Sequence, residues 1–329
     1  MLESREERVL KLIIEEYIKT AKPVGSTSIC KLLDCSSATI RNEMAELESK
    51  GYLEKTHISS GRVPSEKGYR YYVDNLMKPK NMTGEDMLKL QTIFHNNTLQ
   101  LSDAISKSLE IISEMTNYTS VILGSSSKEN KLKQVSILPL EDNKIVAIVV
   151  TDKGHVEHKN LLINENISLD EIKQTTDLIN KLLVGTPIDE VSEKLEFEIK
   201  PIIGKYVKQH EVIYNAFYSA FSDFANRNNM HFVGKTNILR QPEFDNVDKI
   251  KNIVNKFEDK DIINSIKEDD NGINIYIGSE TEFDEDVTIV KTKYEIGNEN
   301  GTIAIVGPKR MEYDKVVGLL EFLKSNIEN

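Results

Sequence analysis

Apolar positions recur at helical spacing through most of the first 50 residues. Val9, Leu10, Ile13, Ile14 and Tyr17 share one side of a helix predicted from about Arg5 to Thr20, opened by a capping box at Ser4 and Glu7. Pro23 and Gly25 break it. Ser26 can cap a short second helix with apolar positions Ile29, Leu32 and Leu33, and Asp34-Cys35-Ser36 forms a tight polar connection. A third helix is predicted from about Ser37 to Lys50, with Gly51 as its left-handed cap. The period then changes. Residues 52–57 read as a strand, 58–61 as a turn and 62–64 as the returning strand, which completes a winged helix-turn-helix plan.

The third helix has two unlike faces. Ile40, Met44 and Leu47 fall in one narrow stripe that must meet the other helices. The opposite side carries Ala38, Asn42 and Ala45, flanked by Thr39 and Arg41. Small residues there admit a DNA backbone closely, Asn bonds adenine bidentately and Arg bonds guanine. A merely solvated polar face is the competing reading for an isolated helix, and the adjoining wing shifts the balance towards DNA. Candidate DNA contacts are therefore Ser37, Ala38, Thr39, Arg41 and Asn42 of the helix. The wing adds Lys55 and His57, which share one face of its strand, and Arg62 at the hairpin tip, placed to reach phosphate or minor groove. Tyr69, Tyr72, Val73 and Leu76 form an amphipathic stripe after the wing. Arg70 and Tyr71 beside it could stack on nucleic acid, but packing of the winged domain against the next part of the chain accounts better for the stripe.

Beyond a short linker at 79–84, where Thr83 and Asp86 can cap the next helix, Leu101, Ile105, Leu109, Ile112 and Met115 line one side of a helix. Four strand-like runs come next, at 118–125, 132–140, 144–151 and 155–163, the later ones joined by turns short enough for antiparallel pairing. A further helix opens on the capping box at Ser168 and Glu171 and turns Ile172, Ile179, Leu182 and Leu183 inward. After Pro201 a long aromatic stripe includes Tyr206, His210, Tyr214, Phe217 and Phe221. So wide an apolar face is either core or a subunit interface. Strand-like runs return at 273–278, 288–294 and 302–307, before a last helix with Val316, Leu320, Leu323 and Ile327 on one side.

Ser-Ser-Ala-Thr-Ile-Arg-Asn-Glu-Met from Ser36, and Gly-Arg-Val-Pro-Ser-Glu-Lys-Gly-Tyr-Arg from Gly61, resemble the bacterial heat-inducible transcription repressors of the HrcA family; Ile58 and Ser60 depart from the commoner wing-tip residues. The resemblance implies an α+β multidomain chain: a winged helix-turn-helix over 1–80, a GAF-like antiparallel sheet domain over 85–164 and 246–329, and an inserted, mainly helical dimerisation domain over 165–245. It tips the aromatic stripe towards a dimer interface. It also implies a cytoplasmic, homodimeric repressor of heat-shock chaperone operons that binds the inverted-repeat CIRCE operator in double-stranded DNA. The GroE chaperonin would help keep it active, and activity would fall on heat stress. A winged-helix regulator whose GAF-like domain senses a small metabolite is the alternative.

Charge sharpens this picture. Over 329 residues the net charge is -11, which argues against nucleic acid, but residues 1–80 carry +2 and the remainder -13. The acidity belongs to the body and leaves the head free to meet a polyanion. Two cysteines and no Trp point to a reducing compartment. The first residues lack the apolar stretch of a secretory signal, and the longest aliphatic run, Ile145 to Val150, is far short of a membrane span. No catalytic residue, metal site or cofactor is expected. Gly234-Lys235-Thr236 lacks the earlier glycine of a P-loop, and His155 and His158 would fall on opposite faces of a strand. Cys30 and Cys35 have nothing nearby to complete a tetrahedral metal site, and residues 269–272 read as a turn.

Overall fold

The computed structural model describes residues 2–33, 35–56, 61–82, 84–94, 101–124, 131–140, 144–152, 156–162, 168–202, 214–215, 217–218, 221, 231–266, 272–296 and 299–328. The helices are α1 (Ser4–Thr20), α2 (Ser26–Leu33), α3 (Ser37–Ser49), α4 (Glu66–Tyr71, running on into a π turn at Tyr72–Leu76), α5 (Gly84–Phe94), α6 (Leu101–Thr116), α7 (Leu169–Leu183), α8 (Ile188–Lys194), α9 (Val247–Glu258), α10 (Lys260–Ser265) and α11 (Tyr313–Ile327). The strands are β1 (Leu53–Lys55), β2 (Arg62–Pro64), β3 (Thr119–Gly124), β4 (Leu132–Pro139), β5 (Lys144–Thr151), β6 (Val156–Leu162), β7 (His231–Val233), β8 (Ile273–Ile277), β9 (Val287–Ile296) and β10 (Glu299–Pro308). Among the described residues, no helix is long and apolar enough to cross a membrane.

Two compact units divide the chain: residues 1–123 with 232–329, and residues 124–231. In the first, α1 to α4 and the β1–β2 hairpin form the winged head. Val9, Leu10, Ile13 and Ile14 of α1 meet Ile29, Ile40, Met44 and Leu47, all buried. The apolar stripe of α3 thus faces the other helices, as its spacing predicts. The helix α1 begins one residue earlier than predicted, because the carboxylate of Glu6 and not Glu7 reaches back to a terminal amide, that of Glu3, at 2.9 Å. Leu32 is exposed: so short a helix offers the core only the Ile29 side.

The rest of the first unit is a five-stranded sheet in the order β7-β3-β10-β9-β8, with β8–β9 and β9–β10 antiparallel. The predicted faces of α6 and α11 hold: Ile105, Leu109 and Ile112, and Val316, Leu320, Leu323 and Ile327, are buried in the same apolar core as the head. Residues 65–76 join the two parts, as core packing and not as a nucleic-acid stack. Tyr69 and Tyr72 are buried against Tyr313, with ring centroids 6.0 and 6.4 Å away. Arg70 donates to the Ile275 carbonyl at 2.6 Å and pairs with Glu280, while the Glu66 carboxylate accepts from the Ser279 amide at 3.0 Å.

The second unit differs from the expected insert. Among the described residues, strands β4, β5 and β6 pair only with one another, antiparallel, and form a separate sheet packed on α7. They therefore belong with the inserted segment, which starts at Gly124 and not near 165, and which carries a sheet as well as helices. Its other limit also moves. Strand β7, inside the predicted insert, joins the five-stranded sheet beside β3. The insertion thus leaves from one strand and returns on its neighbour, a geometry that adds a unit without disturbing the sheet. In α7, Ile172, Ile179 and Leu183 are buried and Leu182 points out, one helical step from the buried stripe.

Candidate nucleic-acid interface

The start of α3 is fixed by hydroxyls. Ser36 caps it, accepting from the Thr39 amide at 3.1 Å, and its hydroxyl also lies 2.9 Å from that of Thr39. Ser37 and Ser26 hydroxyls meet at 2.8 Å, which ties the first turn of α3 to the first turn of α2. Ser37 and Thr39 are thus half-buried and already hydrogen-bonded; their part is to set the helix. Ala38, Arg41, Asn42 and Ala45 are exposed, opposite the buried Ile40, Met44 and Leu47. Such a surface, with small side chains around one amide and one guanidinium, suits a helix entering a major groove.

The far end of α3 is held by charge. The Lys50 ammonium pairs with the buried Glu6 carboxylate of α1 and with Glu46 at 3.0 Å. The Lys50 contact holds the Glu6 carboxyl below its ordinary range, against the opposing effect of burial. Glu6, Glu43 and Glu46 converge closely enough to resemble a cation site, but the Lys50 ammonium supplies the positive charge there.

The wing has a third partner that the sequence concealed. Val24 and Arg62 exchange both backbone hydrogen bonds, at 2.8 and 2.9 Å, so the segment before α2 lies along β2. The close approach explains Gly61. A Cβ there would sit 2.9 Å from the backbone of Pro23. Gly68 is equally constrained, since its Cβ would fall 2.2 Å from the Tyr52 carbonyl oxygen. Both glycines of the Gly-Arg-Val-Pro and Gly-Tyr-Arg runs thus serve backbone packing.

Arg62 departs from its expected place at the hairpin tip. It opens β2, opposite Lys55, with its side chain only 16% exposed, and both Nε and Nη2 donate to Glu48 Oε2 at 2.7 and 2.6 Å. Its guanidinium braces the wing against α3 in place of extending freely from the tip. Lys55 is exposed on β1. His57 lies outside the described residues. A cleft of about 360 Å³ opens between these elements, lined by Ser26 and Thr27 of α2, Arg41 and Met44 of α3, and Lys55 and Arg62 of the wing. Sequence reasoning missed Thr27 and Glu48; the only signal was the Pro23-Val24-Gly25 break that opens α2 directly before Thr27.

The aromatic interface candidates divide differently. Tyr214, Phe217 and Phe221 are buried in the second unit's own core with Val149, Ile179 and Leu195, so they are core and not available to a partner. Tyr206 and His210 lie outside the described residues.

A DeoR-like helix-turn-helix domain matches residues 11–63, and the C-terminal domain of HrcA proteins matches residues 102–317. The heat-inducible transcription repressor HrcA of Bacillus pumilus strain SAFR-032 is 39% identical over 335 residues, covering all of this chain and 98% of that protein. The protein of the same name from Oceanobacillus iheyensis is 40% identical, covering 100% of this chain and 97% of its own. That of Lysinibacillus sphaericus is 38% identical, at 99% and 97%. A crystal structure described as that of a hypothetical protein shares the fold, with a TM-score of 0.69 and 23% identity over 99% of this chain and 98% of that one. On the full-length match and the winged head together, the chain belongs to the HrcA family of heat-inducible transcription repressors, regulators and not enzymes.

Proposed function

We propose that the chain acts in the cytoplasm as a homodimer that represses heat-shock chaperone operons by seating two copies of α3 in the major groove of the CIRCE inverted repeat. The observation that carries this is the exposed Ala38, Asn42 and Ala45 surface of α3, backed by a fully buried stripe and braced at both ends. A two-fold dimer presents two such helices to two half-sites, which is why a palindromic operator fits.

The sheet of the second unit supports the dimer. Ile145, Ala147 and Val149 of β5 turn into the core, whereas Val146, Ile148 and Val150 turn the other way. Register sets Leu138 beside Val146 and Val156 beside Val150, so each flanking strand adds one apolar neighbour to the β5 row, among Gln134, Ser136, His158 and Asn160. Leu138 is 52% and Val156 60% exposed in the single chain. A second copy of the chain is the occupant we propose for this face.

Exposed apolar side chains elsewhere in this unit, Leu162 and Phe197, also give the GroE chaperonin something to bind. Chaperonin occupied by unfolded protein during heat stress would then leave the repressor unassisted and the operons open. Gel shift against the CIRCE repeat and a scrambled duplex, with and without GroE, tests both parts. Selective binding that GroE increases is expected; equal binding to both duplexes rejects the operator, and indifference to GroE rejects the chaperonin.

A small metabolite is the second candidate partner. A cavity of about 620 Å³ lies where the π turn after α4 meets β8 and α11, floored by Val73, Met77, Ile275 and Val317 with Lys324 and Glu321 at its rim. A thermal-shift screen of nucleotides and metabolites separates the two: a stabilising ligand that also alters operator binding favours the sensor.

A further inference from the structure

The cleft beside α3 changes what Arg41 does. Three cations reach it from three separate elements, Arg41 from α3, Lys55 from β1 and Arg62 from β2, and no carboxylate lines it among the described residues. Glu48 neutralises Arg62 from the far side. Arg41 and Lys55 make no ion pair among the described residues, and both are exposed. The Thr27 hydroxyl, also exposed, adds a neutral donor on the third wall. Two unneutralised cations around a concave site repel one another and are relieved by one anion.

The position of the cleft identifies that anion. With α3 in the major groove, the strand backbone runs along the groove edge, between the recognition helix and the elements flanking it. Contacts made there go to phosphate, which fixes register and carries no sequence information. We propose that this cleft seats a single DNA backbone phosphate, held by Arg41, Lys55 and Thr27, so that Arg41 positions the helix and base reading falls to Asn42. The inference rests on the operator-binding function proposed above. It also replaces the bidentate guanine contact that the sequence offered for Arg41.

Synthetic CIRCE duplexes carrying one neutral methylphosphonate linkage at a time locate such a phosphate, with affinities measured by anisotropy for the full-length protein. One linkage per half-site should weaken the wild-type protein about ten-fold, and at that linkage Arg41→Ala and Lys55→Ala should lose nothing further. On the unmodified duplex each substitution should weaken operator and scrambled DNA alike and lower the salt slope by about one. Arg41→Lys should retain most of the affinity, because a phosphate contact needs charge whereas a bidentate base contact needs the planar fork. The proposal is overturned if Arg41→Ala relaxes preference at a single base pair, or if its effect adds fully to that of every neutral linkage. Failure of the wild-type protein to distinguish CIRCE from scrambled DNA would instead reject the operator function itself. Melting temperatures of both variants, expected to be unchanged at these exposed positions, exclude misfolding as the cause.

Discussion

Arg62 of the wing and Glu48 near the end of α3 are joined through both Nε and Nη2, at 2.7 and 2.6 Å, in a half-buried pair. The guanidinium is therefore a brace between the wing and α3. Replacing Arg62 with Ala leaves Glu48 without its partner and next to a polyanion. A loss of about 1–2 kcal/mol of stability is expected, between the values for exposed and buried pairs. Glu48→Gln should cost a similar amount of stability but less DNA affinity, since it removes a negative charge. Denaturant melts and anisotropy on the two variants check this; equal stability to wild type for both would show that the brace is idle.

The Glu6 and Lys50 pair makes the head sensitive to acid. Contact with Lys50 depresses the folded carboxyl below its unfolded value, so its contribution is present above about pH 4.5 and is lost as the pH falls through the folded value. Wild type should melt higher than Glu6→Gln at neutral pH, and the gap should close on acidification. A constant gap from pH 7 to pH 3 would contradict the assignment.

Neighbouring positions in α4 should respond in opposite directions. The Tyr69 hydroxyl is buried and has no hydrogen-bond partner among the described residues, so Tyr69→Phe removes an unsatisfied group and should leave stability unchanged or raise it by about 1 kcal/mol. Gly68→Ala ordinarily favours a helix. Here the new methyl meets the Tyr52 carbonyl oxygen, and a loss of about 1–3 kcal/mol is expected. Urea titration of both variants gives the signs directly.

Two substitutions in the second unit separate core from interface. Phe217→Ala should cost about 3–5 kcal/mol by opening the core. Ile148→Lys, at the centre of the outer sheet face, should leave circular dichroism unchanged and shift sedimentation equilibrium towards monomer. A dimer that persists in Ile148→Lys would place the interface elsewhere.

Much of the head was legible because each signal was local. Helical spacing named Ile40, Met44 and Leu47 as the buried side of α3, and the chain breaks at Pro23 and Gly51 bounded the helices. Long-range contacts were not legible. Nothing near Arg62 announces Glu48 or Val24, and the wing-tip reading rested on position in the hairpin alone. The same limit explains the insertion. Few residues separate β4, β5 and β6 in the sequence, so their mutual pairing could be read, but alternation cannot tell which sheet a strand belongs to. Strand β7, three residues long, left no periodic trace. The aromatic stripe showed the right apolar width, yet width alone does not separate a core from an interface, and Phe217 and Phe221 went to the core.

The most direct test of the α3 surface is the affinity of wild type and Asn42→Ala for the CIRCE repeat and for a scrambled duplex at one fixed salt concentration. The exposed Asn42 should carry base recognition, so its loss should cost about 1–3 kcal/mol on the operator and almost nothing on scrambled DNA. Equal affinities of the two proteins on the operator, or equal losses on both duplexes, would contradict sequence reading by this face of α3.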